Sequence, residues 1–112
     1  MNVVELTGEL VCKTADEAET VVRCLPQHVE LTRTEPGCLY FEVAATDDPM
    51  IWAVDERFAN QDALEVHQER VAGSEWGRAT VSIERRYSVK GLALRPSEPD
   101  VIRPGRRNGT DE

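Results

Sequence analysis

Two histidines, two tryptophans and one arginine in an apolar register hold most of the chemistry this sequence offers. His67 falls on the stripe Ala63, Leu64, His67 and Val71 of a segment with helical spacing. An imidazole there is either a hydrogen-bonded core group or a general base working near neutral pH. Arg85 shares a register with Val81, Ile83, Tyr87 and Val89, so it faces whichever side those residues bury. It either pairs with an acidic strand neighbour or stabilises an anionic substrate. Trp52 and Trp76, with Leu39, Phe41 and Phe58 from the adjoining strands, either fill a core or line an apolar pocket for a flat ring, where an indole N–H donates to an oxyanion. Asn60 is first a helix cap and second a pocket donor. Arg33 and Glu35 hold the exit of a helix, and His28 lies at the edge of an apolar helical face, turned either to solvent or to a pocket. Cys12, Cys24 and Cys38 form no C-x-x-C pair and lie far in sequence from a histidine cluster, so no metal site is expected.

The elements that must position these groups are readable from period and punctuation. Met1 to Cys12 alternates as a half-exposed strand, with Val4, Leu6 and Leu10 on one side. Thr14 and Glu17 form a capping-box pair that opens a helix to about Thr34, with Ala18, Val21, Val22, Leu25 and Val29 at helical spacing. Pro26 removes one amide inside it and predicts a kink or a one-turn break. Glu35-Pro36-Gly37 ends the helix. Residues 38–46 and 50–58 alternate around the turn Asp47-Asp48-Pro49 and predict a hairpin. Asn60 caps a second helix through about Ala72, ended by Gly73, and residues 79–89 alternate as a last strand. The order β-α-β-β-α-β specifies a ferredoxin-like α+β fold, a four-stranded antiparallel sheet with both helices on one face. The open face would carry Val3, Val11, Tyr40, Ala44, Ile51 and Ala53 among Glu5, Glu42 and Asp55, a mixture that a second subunit would cover. Residues 1–89 form the domain, and residues 90–112, rich in Pro and Gly, read as an extended or disordered tail.

With 112 residues the chain is one domain, and its net charge of −8 opposes binding to nucleic acid or to an anionic membrane surface. No apolar run approaches the length of a membrane span, and the odd number of cysteines together with the start MNVVELTGEL predicts a cytoplasmic protein with reduced thiols.

Two runs then carry a family resemblance. Arg33-Thr34-Glu35-Pro36-Gly37-Cys38-Leu39 and Glu56-Arg57-Phe58-Ala59-Asn60-Gln61-Asp62-Ala63-Leu64-Glu65-Val66-His67 resemble, in this order and within about residues 3–88, the antibiotic biosynthesis monooxygenase family. The resemblance implies a dimeric α+β barrel, with two sheets packed face to face and a pocket between sheet and helices in each subunit. It implies oxygenation of a phenolic or quinol-like aromatic by O2 as co-substrate with no cofactor: His67 assists deprotonation, and an indole N–H or Arg85 steadies the anion. An isomerase or cyclase working without oxygen, and a non-catalytic binding protein, remain the alternatives. After His67 the run Gln68 to Trp76 departs from the family pattern, which rebuilds that end of the pocket around Trp76. Gly8 and Phe58 stand where haem-degrading relatives carry asparagine and tryptophan, which speaks against haem degradation.

Overall fold

The computed structural model describes residues 3–92. Its elements are β1 (Val4–Val11), α1 (Ala15–Arg33), β2 (Cys38–Ala45), β3 (Ile51–Phe58), α2 (Gln61–Ala72), α3 (Glu75–Ala79) and β4 (Glu84–Lys90). All strand pairs are antiparallel and the order in the sheet is β2-β3-β1-β4. This is the ferredoxin-like α+β fold, with the expected hairpin between β2 and β3.

The helix starts follow from local chemistry. Thr14 Oγ1 accepts from the Glu17 amide at 3.1 Å, while the Glu17 carboxylate accepts from the Lys13 amide at 2.7 Å, so two amides without helical partners are satisfied at once. Asn60 Oδ1 does the same for the Ala63 amide at 2.8 Å. Gly37 lets the exit of α1 dock on the first turn of α2: a Cβ there would stand 2.3 Å from the Ala63 Cβ. Gly8 permits an equally close approach of β1 and β4, since a Cβ would meet the Arg86 carbonyl oxygen at 2.1 Å.

Two expectations are corrected. Of the kink or one-turn break expected at Pro26, the break does not occur; α1 runs unbroken from Ala15 to Arg33. Pro26 is on the exposed side, while Val21, Cys24, His28 and Thr32 are buried, and that inner seam outweighs one missing amide. The last strand does not begin at residue 79 either. Ser74 caps an additional short helix by accepting from the Gly77 amide at 3.0 Å, buried Trp76 anchors it, and Thr80 forms its end, so β4 starts only at Glu84. The tail expected from residue 90 lies, from residue 93 onward, outside the described residues, as do Met1 and Asn2.

The registers sort the sheet into two faces. Leu6 of β1 is paired with Glu56 and Val89, Leu10 with Trp52 and Arg85, and Phe41 of β2 with Glu56. These side chains point toward the helices. A core of Leu6, Leu10, Cys12, Val21, Cys24, Val54, Trp76 and Ile83 fills one part of that layer, and Val4, Phe58 and Leu64 close the other. The opposite face carries Tyr40, Ala44, Ala53, Ile51 and Val11 among charged residues.

Candidate functional site

Between the sheet and the three helices lies a cavity of about 420 Å³. Leu6, Glu56, Arg85 and Tyr87 line it from the strands, and His28, Leu64, His67, Val71 and Trp76 from the helices, with Val81 on the segment before β4. Ionisable groups thus share an otherwise apolar chamber.

His67 is held at Nδ1. Nδ1 lies 3.0 Å from Glu35 Oε1, and the other Glu35 oxygen accepts from Arg70 Nε, whose Nη2 donates to Thr32 Oγ1 at 3.0 Å. A carboxylate paired with a guanidinium only accepts, so Nδ1 carries the proton and Nε2 keeps its lone pair. Nε2 stands 3.9 Å from Glu56 Oε1. Burial lowers the His67 pKa against the opposing pull of Glu35, which keeps the ring neutral near pH 7. Phe58 packs on the ring at 4.9 Å.

Glu56 is the acidic side chain in the inward registers of the four strands, 6% exposed. Burial pushes its pKa up to about 7, although the Arg85 charge pulls it down. His28 stacks on Trp76 with centroids 4.6 Å apart and planes at 4°, and meets Phe41 edge-on at 5.2 Å. Its Nδ1 is buried without a hydrogen-bond partner, and burial, helped by His67, Arg70 and Arg85, lowers its pKa to about 3. The ring is a neutral polar wall. Tyr87 is pushed up to about 12 by burial and stays a phenol.

Arg85 is held in a different way from the expected pairing with an acidic strand neighbour. Nη1 donates to the carbonyls of Thr80 at 2.8 Å and Ile83 at 3.0 Å, and Nη2 to Thr80 Oγ1 at 2.8 Å. Among the described residues it makes no ion pair. Its charge is therefore fixed beside the cavity and not cancelled by a bonded carboxylate.

Of the residues named in the sequence, the structure brings His28, His67, Trp76 and Arg85 to the cavity wall. Phe41 and Phe58 sit behind it, against the histidine rings. Trp52, Leu39 and Asn60 are elsewhere. Trp52 packs beside the apolar core, Leu39 is largely exposed on a shallow outer groove with Arg33 and Tyr40, and the Asn60 side chain is engaged as a cap. Glu56, which heads the second motif run, and Tyr87, which shares the Arg85 register, have no site role in the sequence reading, and Glu35 has one only at the helix exit. The signal for Glu56 was a charge inside the apolar run Trp52, Val54, Phe58. Among the described residues no group of three or more His, Cys, Asp or Glu is clustered to hold a metal ion.

Residues 13–77 match the antibiotic biosynthesis monooxygenase family. The chain belongs to that family. Solved structures share the fold at low identity. SnoaB from Streptomyces nogalater, a cofactor-independent oxygenase, is 12% identical with a TM-score of 0.65 over 88% of this chain and all of its own. MupZ from Pseudomonas fluorescens is 21% identical with a TM-score of 0.67 over 81% of this chain and 70% of its own. A conserved protein from Methanosarcina mazei is 14% identical with a TM-score of 0.64 over 83% and 95%. No curated protein matches the sequence.

Proposed function

We propose that this chain is a monooxygenase that oxidises a phenolic or quinol-like aromatic with O2, without metal or organic cofactor, in the cavity described above. The observation that carries the reading is the His67 imidazole, fixed at Nδ1 by Glu35 on the wall of a chamber that Trp76 also lines. Membership of the family and the likeness to SnoaB support a monooxygenase-type role in general.

In this reading His67 Nε2 takes the phenolic proton, and the fixed charge of Arg85 stabilises the phenolate. The phenolate passes one electron to O2, leaving a phenoxyl radical and superoxide. These couple at a ring carbon that bears hydrogen, His67 returns its proton to the peroxide, and loss of water leaves a quinone. One phenol and one O2 thus give one quinone and one water. The protein supplies orientation and electrostatics, and the substrate supplies the electrons.

The working unit is a homodimer closed through the open sheet face, where Tyr40 is 40% and Val3 44% exposed beside Ala44, Ala53 and Val11. It works in the cytoplasm, in keeping with three free cysteines. No described helix is long and apolar enough to cross a membrane.

Oxygen uptake by metal-stripped protein with a panel of reduced quinols and anthrones tests this directly. Protein-dependent uptake should survive chelation and fall at least about tenfold in His67→Ala, about 1.4 kcal/mol of transition-state stabilisation. Turnover that continues under anaerobic conditions would instead identify an isomerase or cyclase.

A further inference from the structure

Glu56 occupies a position that packing alone would give to an aliphatic side chain. It stands on β3 between Val54 and Phe58, opposite Leu6 on one side and Phe41 on the other. Among the described residues no hydrogen bond reaches its carboxyl, and the nearest ring nitrogen, His67 Nε2, is 3.9 Å away. The carboxyl lies on the cavity lining, so its hydrogen-bonding capacity is open to whatever occupies the cavity.

The reaction proposed above moves two protons, and His67 handles only one. The hydroperoxide still carries hydrogen on the oxygenated ring carbon, and that proton must leave before the quinone forms. Resting on that reading, we infer that Glu56 is a second catalytic group of the cavity, the base that removes this C–H proton as the hydroperoxide collapses. The C–H electron pair becomes the π bond of the new C=O. The O–O bond breaks and hydroxide departs. Glu56 then delivers the same proton to the hydroxide, giving water and restoring the carboxylate. His67 and Glu56 can serve one substrate because their facing atoms are less than 4 Å apart across the wall of one chamber.

The test is the fate of the consumed oxygen in the full chain, with anthrone as probe and buffer autoxidation subtracted. Glu56→Gln keeps shape and polarity but cannot accept the proton. It should still consume oxygen, while quinone formed per O2 falls at least about tenfold and peroxide appears in its place. An unchanged quinone yield per O2, whatever the rate, overturns the inference and leaves the oxygenase reading intact. A wild-type chain that consumes no oxygen overturns both.

The wild type offers a second readout that does not depend on the variant folding. The groups facing Glu56 are His28 from α1, His67 from α2 and Arg85 and Tyr87 from β4, with Glu35 and Asp55 adding longer-range charge. His28 at about 3 and Tyr87 at about 12 do not titrate near neutrality. The quinone-to-peroxide ratio should therefore fall as pH drops through about 7, where Glu56 gains its proton. A ratio independent of pH across that range overturns the inference.

Discussion

The two ends of the helix-covered layer are built on the same strands and spend burial differently. Around Cys12, Val21, Cys24 and Val54 the inward positions are filled by apolar side chains, and Leu10, whose neighbour across β4 is Arg85, marks the border with the other end. Two residues along β3 from Val54, the same register delivers Glu56, and along β4 it delivers Arg85 and Tyr87, around an open cavity of about 420 Å³. One end gains stability from contact, and the other gives stability up to keep ionisable groups dry. A stretch of sheet that is costly to bury beside one that is cheap marks where the fold serves chemistry.

The largest effect should come from damaging the cheap end. Leu10 is fully buried, and Leu10→Ala should cost about 2–5 kcal/mol in urea unfolding. A cost well under 1 kcal/mol would show that this end is not the stabilising half.

The opposite character of the cavity end should appear as pH slopes. Glu56 stands at about 7 in the folded chain against an ordinary 4.5, so between those values the native state holds a proton that the unfolded chain has released. Stability from this group therefore falls as pH rises through that window, by on the order of 3 kcal/mol. His28 runs the other way. Lowered from 6.5 to about 3, it stays neutral while the unfolded chain protonates, so its contribution rises with pH across that interval. In the wild type the two slopes oppose each other where they overlap. Glu56→Gln should gain stability relative to wild type as pH climbs from about 4.5 to 7, whereas His28→Phe should gain most at the acid end. Parallel unfolding curves for wild type and both variants would erase the distinction between the two ends.

The smallest effect concerns the junction. Ser74→Ala removes the cap of α3 and should cost about 1 kcal/mol. Because α3 carries Trp76, the same change should weaken binding of an aromatic probe more than Thr14→Ala, which removes a cap far from the cavity. Equal effects on binding would detach α3 from the site.

What could be read from the sequence was what neighbours in the chain decide. The Thr14–Glu17 and Asn60 caps, the turn at Asp47-Asp48-Pro49 and the end of α2 at Gly73 are set by residues within a few positions of one another. The strand start at Glu84 was obscured because Val81 and Ile83 alternate like a strand, while the competing signal was one serine cap and one tryptophan that finds burial only in the fold. Pro26 misled for a related reason, since its cost is local and the seam that outweighs it is tertiary. His67 was visible through its helical stripe. Its partner Glu35 was not, because the two are 32 positions apart and meet only when Gly37 docks on Ala63. Glu56 was hidden by the pattern itself, for alternation identifies which residues are inward but not that a carboxyl among them lacks a partner.

The placement of the two tryptophans has an optical consequence. Trp76 lies face to face with an imidazole on the cavity wall, whereas Trp52 packs outside the cavity. An aromatic guest in the chamber would change the surroundings of the first indole and leave those of the second alone. The chain therefore carries its own emitter and its own internal standard, and with Trp52→Phe its ultraviolet emission becomes a label-free record of whether the chamber is occupied.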